Sequence, residues 1–318
     1  MPSLIGTMDN SSAALLLFLH LPKTGGTTVS SIANALPHWK FLAAHWQSHK
    51  YTHKIIDALK DALDPQQTPQ HEPLFDWRTS RVMVEFHLPR SVDLFHKHFY
   101  PKLDQLRKSY AMQNGRFLAA TIIRNPYDQI RSHFAYFQVY GHPPFVRTNA
   151  PDAVKKDPQA QSRAFDEWLH TIELDPQAER LCPGGEKIIL KHKAAVHDRC
   201  KMVGALDVVG IEARMEDSLR TIFARLGVCL SESFNISSLT CNTARSTHLL
   251  KMLPEATKSL VKEKTRLARQ VYASYAACLD SPPNSVLQCT RSGAALDAKC
   301  GYRGAVPFET KKSPCRYR

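Results

Sequence analysis

Lys23 stands directly before a Thr-Gly-Gly-Thr-Thr run, residues 24–28, between an apolar stretch and an amphipathic one. Glycines placed this way let the backbone turn tightly and bring amide N–H groups onto an anion. The helix expected next adds the positive end of its dipole. Lys23 supplies a mobile charge, and the hydroxyls of Thr27 and Thr28 can donate to phosphate oxygens. The pattern is a phosphate cradle, with Thr24, Gly25 and Gly26 in its bend. It is not a Walker A loop, in which the lysine follows the glycines, so a nucleoside-triphosphatase reading loses most of its support.

A second group follows the apolar run 117–123. Arg124 closes that run, Asn125 suits an N-cap and Pro126 a first helical residue. An arginine at a strand end can grip a phosphate with two parallel hydrogen bonds. Ser132 lies further along the same helix. The third candidate is His87, which closes the run RVMVEFH and could act as a general base, with Glu85 orienting it or acting itself. His20 is nearer the cradle but sits on a buried run, so a structural role is expected. His45, His49 and His53 fall four apart, a spacing that can hold a metal. Lys50 and Lys54 beside them, with no interleaved carboxylate, favour a solvated face, and no metal is expected. Trp39, Trp46, Phe134, Tyr136 and Phe137 could stack on adenine or sugar rings, but helical spacing favours core packing.

These groups need elements to hold them. Compact apolar runs alternate with helical patterns, the signature of a parallel sheet covered on both faces. Strands are expected at Leu15–Leu21, Arg81–His87, Phe117–Ile123, Lys187–Leu190 and Asp207–Ile211. Helices are expected at Thr27–Leu36, Lys54–Leu63, Tyr127–Tyr140, Ser162–Ile172, Asp217–Leu226 and Glu255–Cys278. The fold class is α/β, a P-loop-like three-layer fold with a central parallel sheet flanked by helices. Residues 13–280 form that domain and 281–318 an irregular, basic, cysteine-containing tail. Asp64–Pro73 reads as a loop, and Gly141–Pro158 as a loop placed to act either as a substrate lid or as a passive insertion.

Composition narrows the partner. The chain has 318 residues, with 42 Lys and Arg against 29 Asp and Glu, a net charge of +13. Such a field favours polyanions. No apolar run is long enough to span a membrane. All eight cysteines lie in the second half without a C-x-x-C pair, which suits disulfides in a secretory compartment better than zinc. N-glycosylation sequons at Asn10 and Asn235 are compatible with that. Free thiols in a cytoplasmic protein are the alternative.

On the Lys23–Thr28 and Arg124–Ser132 motifs, the chain resembles the PAPS-dependent sulfotransferases of the membrane type, which include the heparan sulfate 2-O- and 6-O-sulfotransferases. There, a P-K-T-G-G-T-[ST] loop binds the 5′-phosphosulfate, and R-[DN]-P with a serine eight residues after the arginine binds the 3′-phosphate. Lys23, Gly25, Gly26, Thr27 and Thr28 match the first motif, and Arg124 and Ser132 the second. Residues 208–227, Asn242 and the helix ending YASYAACL are similar to later blocks, so the likeness covers about residues 15–279. Relatives often close the base-bearing strand with Gly-His, where this chain has Phe86-His87.

The resemblance implies sulfuryl transfer from PAPS to a hydroxyl on a carbohydrate, an acidic glycan in view of the charge, with PAP released. Lys23 would neutralise the leaving oxygen and His87 would take the acceptor proton. It also implies a Golgi-lumen glycoprotein, although relatives carry an N-terminal membrane anchor that this chain lacks. A truncated form, a soluble version or another compartment would each account for that. Nucleic acid is not the expected partner. A polyanion-binding protein with a decayed site and a nucleotide-dependent phosphotransferase remain as alternatives.

Overall fold

The structure is a computed structural model that describes residues 5–8, 13–44, 49–63, 74–87, 89–140, 150–172, 175–182, 201–230 and 253–276. The strands are β1 (Ile5–Met8), β2 (Ala14–Leu19), β3 (Trp39–Ala43), β4 (Arg81–Phe86), β5 (Arg116–Ile123), β6 (Val208–Ile211) and β7 (Val228–Leu230). Helices α1 (Gly26–Ala35), α2 (His49–Leu63), α3 (Pro89–Leu94), α4 (Leu103–Met112), α5 (Pro126–Phe134) and α6 (Asp152–Lys156) belong to the first half. Then come α7 (Pro158–Thr171), α8 (Pro176–Leu181), α9 (Lys201–Ala205), α10 (Met215–Arg225), α11 (Glu255–Lys264) and α12 (Arg266–Ala276).

Five strands form one parallel sheet in the order β3-β4-β2-β5-β6. β1 and β7 make a separate antiparallel pair. Strand β2 explains the layering. Its side chains alternate between faces, so Leu15, Leu17 and Leu19 enter one core and Ala14, Leu16 and Phe18 the other. The first core packs under α2, α4 and α12, the second under α1 and α10. This is the expected α/β fold with a central parallel sheet between helical layers. A third cluster, around Ile130, Phe134, Phe165, Leu169 and Val261, ties α5 to α7 and α11.

The order of the strands positions the site. After β2 the chain crosses one way to β3, returns to insert β4 beside β2, then crosses to the other side for β5. Ligands of open parallel sheets bind outside the carboxyl ends of strands at such a reversal. Here β2 pairs Leu19 with Phe86 of β4 and with Thr121 of β5, so three neighbouring strands end at nearly one level. His87, the Lys23 loop and Arg124 follow those three ends.

Four expected strands appear within two residues at each end. The fifth, Lys187–Leu190, lies outside the described residues. So do Asp64–Pro73, residues 281–318, His45, Asn242, both sequons and residues 141–149 of the Gly141–Pro158 segment, whose later part is helical in α6. The single helix expected over Tyr127–Tyr140 is an α-helix to Phe134 and then a π-helical turn, Ala135–Tyr140. The one expected over Glu255–Cys278 is broken at Thr265, a buried residue whose hydroxyl donates to the Val261 carbonyl at 2.7 Å. A hydroxyl bonding back four residues bends a helix at that point. Strand β3 and helices α3 and α4 were not expected. β3 alternates too weakly to be read alone and forms by pairing with β4, while Pro89 and Pro101 interrupt the helical pattern of residues 89–112.

Candidate functional site

The loop after β2 is held in a strained bend. Lys23 has φ 62° and Gly25 φ 85°, both in the left-handed region. For lysine that conformation is uncommon and costs on the order of 1 kcal/mol or more. Contacts around it hold it there. Thr24 is fully buried and its hydroxyl donates to the Leu21 carbonyl at 2.9 Å. Gln129 of α5 donates to the Pro22 carbonyl at 3.0 Å, and Arg124 Nη1 to the Lys23 carbonyl at 3.2 Å. Side chains are disfavoured at both glycines, at Gly25 by its left-handed φ of 85° and at Gly26 because a Cβ would meet the His20 ring at 2.0 Å. Thr24, expected among the donor contacts, therefore has its hydroxyl committed inside the loop.

Helix α1 begins at Gly26 with no side-chain cap and no acidic residue in its first turn. Its first amides thus keep the positive end of the dipole open to an anion. Thr27 is half-buried and Thr28 buried in that turn. The ammonium of Lys23 rests 4.1 Å from the centre of the Tyr136 ring, a cation–π contact with the π-helical turn beyond α5. Burial and the nearby Arg124 charge lower its pKa to about 8.

The second motif is built as its residues imply. Asn125 caps α5, its side chain accepting from Tyr127 N at 3.0 Å, and Pro126 opens the helix. Gln177 of α8 bonds Arg124 on both sides, accepting from its amide at 2.9 Å and donating to its carbonyl at 3.1 Å. Ile123 pairs with Ile211, so Arg124 and Glu212 leave the sheet side by side, with Arg124 Nε 3.7 Å from Glu212 Oε1. Gln129 and Ser132 share the face of α5 that looks toward the loop. Ser132 is buried, and its hydroxyl has no hydrogen-bond partner among the described residues; nor does Arg124 Nε. A buried hydroxyl left unpaired costs on the order of 1–3 kcal/mol, which a bound acceptor would remove.

On the other side of β2, Glu85 is buried and accepts hydrogen bonds from His20 Nδ1 and from Ser30 Oγ, the latter at 2.8 Å. Burial opposes its ionised form. The His20 charge and hydrogen bond outweigh that, with smaller help from His87 and Ser30, and hold its pKa down at about 2. Glu85 was expected to orient His87 or to act itself. Among the described residues its hydrogen bonds go to His20 and Ser30, and none goes to His87. His87 instead stacks on His20 with ring centres 4.0 Å apart, and its Nδ1 lies 3.3 Å from the His20 carbonyl. A carbonyl only accepts, so the proton sits on Nδ1 and Nε2 keeps its lone pair. Burial, then the charges of His20 and Arg180, lower the His87 pKa to about 3 against the opposing pull of Glu85. At neutral pH the ring is uncharged.

The structure thus brings Lys23, Thr24, Gly25, Gly26, Thr27, Thr28, Arg124, Ser132, Glu85 and His87 to one edge of the sheet. His49 and His53 lie in α2, and their side chains are outside the described residues. Sequence reasoning missed Gln129, Gln177, Glu212 and Met215, which hold or cover the two motifs. Gln177 follows Asp175, the N-cap of α8, but its contact with Arg124 joins positions 53 apart, and no local pattern announces that.

No protein-family model and no curated protein sequence matches the chain. Among solved structures, the crystal structure of mouse sulfotransferase SULT7A1 complexed with PAP matches at 14% identity and a TM-score of 0.40, over 85% of this chain and 94% of that one.

Proposed function

We propose that the protein is a PAPS-dependent sulfotransferase acting on a hydroxyl of an acidic carbohydrate. One observation carries this reading. Two separate anion-binding arrangements, the open start of α1 behind Lys23 and the unpaired Ser132 hydroxyl with Arg124, stand at adjacent strand ends joined by the Arg124–Lys23 hydrogen bond. A donor with phosphate on both the 5′ and 3′ positions needs two such arrangements.

The residues fit that donor. Lys23, Gly25, Gly26, Thr27 and Thr28 would hold its 5′-phosphosulfate, and Arg124 with Ser132 its 3′-phosphate. When bound, PAPS supplies a sulfuryl group attached to a phosphate leaving oxygen. Lys23 provides positive charge where negative charge develops, and the loop's bend is held by the protein's own hydrogen bonds, so little reorganisation remains. His87 Nε2 holds the lone pair that would take the acceptor's proton. Its low pKa makes it a weak base alone, but a polyanion beside it favours the protonated ring and raises that pKa. The His20–Glu85–Ser30 network fixes the His20 backbone to which His87 bonds, so Glu85 is a positioning residue.

We take the eight cysteines to be paired in disulfides. That supports an oxidising compartment such as the Golgi lumen over the cytoplasm. The +13 charge supports an acidic glycan as acceptor.

The test is transfer of labelled sulfate from PAPS to a panel of glycosaminoglycans and neutral glycans, with ATP as a control donor. Label on a glycan hydroxyl, lost in Lys23→Ala, is the expected result. Phosphate transferred from ATP, or heparin binding without affinity for PAP, would replace the proposal with one of the alternatives.

A further inference from the structure

Arg180 enters the site as described so far only through its charge on His87, yet its setting is unusual. It lies one turn beyond Gln177 on α8, and residues three apart share a helix face. Gln177 holds the Arg124 backbone, while Ala178, Leu181 and Cys182 of the same segment pack into the core. The face carrying Arg180 therefore looks toward the strand ends. Its backbone is also pinned, since the Arg180 carbonyl accepts from His96 Nε2 at 3.0 Å. The guanidinium is half-buried, and its Nη1 is fully buried without a hydrogen-bond partner among the described residues. No carboxylate forms an ion pair with it among those residues.

His133, on α5 next to Ser132, is the second member. Its ring stacks between Phe137, 4.4 Å away, and Trp168, 5.9 Å away, and its Nδ1 is buried without a partner among the described residues. Burial comes first in lowering its pKa to about 3, and the charges of Arg180 and Lys23 add to this. The Arg180 charge acts on His87 as well. Arg180 thus lies within electrostatic range of His87, just beyond β4, and of His133 on α5, and its own helix α8 packs against α5. An arginine with a buried, unpaired nitrogen is costly to keep unless something anionic pairs with it. Both donor phosphates are already assigned to other residues.

We propose that Arg180, with His133 beside it, receives an anionic group of the acceptor, a carboxylate or a sulfate, and so orients the hydroxyl toward His87. This rests on the sulfotransferase reading and names what that site selects. A guanidinium offers paired donors in a fixed plane, which suits either oxyanion, while a neutral His133 adds a single hydrogen bond. Selectivity for acidic over neutral sugars then has a residue behind it, beyond the general positive field.

The experiment compares wild type with Arg180→Ala, Arg180→Lys and His133→Ala. It uses PAP binding by titration, and KM and kcat on a carboxylated oligosaccharide and on its carboxyl-reduced counterpart. Sulfated and unsulfated versions of each separate the two oxyanions. Arg180→Ala should leave PAP affinity within about twofold and raise KM for the acidic acceptor about 10–100-fold, the range for a lost charge-assisted hydrogen bond. The carboxyl-reduced acceptor should be nearly unaffected, and Arg180→Lys should recover part of the loss. A parallel fall on acidic and neutral acceptors, or loss of PAP binding in a folded Arg180→Ala protein, would overturn the assignment. If wild type itself bound no PAP, the underlying reading would fail instead, and the two failures are told apart by that first titration.

Discussion

Two buried polar regions flank the loop after β2, and they are built in opposite ways. On the β4 side, Glu85, His20 and Ser30 satisfy one another by direct hydrogen bonds. On the β5 side, Ser132, His133 and Arg180 keep buried polar atoms unpaired among the described residues. A satisfied network stabilises and fixes geometry, whereas unpaired groups raise the free energy until a ligand arrives. On the proposed reading the tasks divide the same way: the β4 side would position the loop and His87, and the β5 side would bind. The two sides should therefore respond differently to substitution.

The largest effects are expected where the sides meet. Lys23→Ala and Arg124→Ala should each lower transfer at least about 10²–10³-fold, by analogy with removal of a preorganised charge-stabilising donor. Thermal unfolding should change little, and near-normal turnover in either variant would dissolve the proposed cradle. Next, Glu85→Gln should act chiefly on stability, costing on the order of 3–5 kcal/mol, because it leaves His20 without its buried charged partner. A loss of melting temperature with PAP affinity retained below the transition marks a positioning role. Lost affinity at unchanged stability would move Glu85 to the binding side.

Those predictions rest on features of unequal legibility in the sequence. The bend after β2 and the helix start after Arg124 were readable because each is local: a glycine in a tight turn, an arginine at a strand end, and an Asn-Pro helix start. The parallel sheet was readable for the same reason, since β2, β4 and β5 are short apolar runs buried on both faces. What was not readable is contact between distant segments. Glu85 was expected to serve His87, two positions along, because a strand places such residues on one face. In the folded chain Ser30, from the first helix, and His20, from the neighbouring strand end, take its hydrogen bonds. Arg180 drew no attention because its local sequence is an ordinary capped helical turn. Only the absence of a partner in three dimensions marks it.

Smaller effects sharpen the comparison. Ser132→Ala should weaken PAP about 10–100-fold, the worth of one hydrogen bond to a charged group, while leaving 5′-AMP binding unchanged. Lys23, with a pKa of about 8, is charged below that value and neutral above it. PAP affinity should thus be high below about pH 8 and fall as pH rises through it, and Lys23→Arg should remove the fall. Asp175, the α8 cap, acts on stability alone: its burial raises its carboxyl pKa to about 7 despite backbone hydrogen bonds. The folded state then holds a proton that the unfolded state has lost, so stability should decline as pH rises from about 4 to about 7. Denaturant unfolding of Asp175→Asn across that range should show a flatter profile.

The central claim is that two anion arrangements at neighbouring strand ends form one donor site. Calorimetric titration with PAP, 5′-AMP and ATP, on wild type and on Arg124→Ala, tests it most directly. The account predicts PAP binding that weakens sharply when either the 3′-phosphate or the Arg124 side chain is removed. Equal affinity for PAP and 5′-AMP, or no PAP binding by a folded protein, would contradict it.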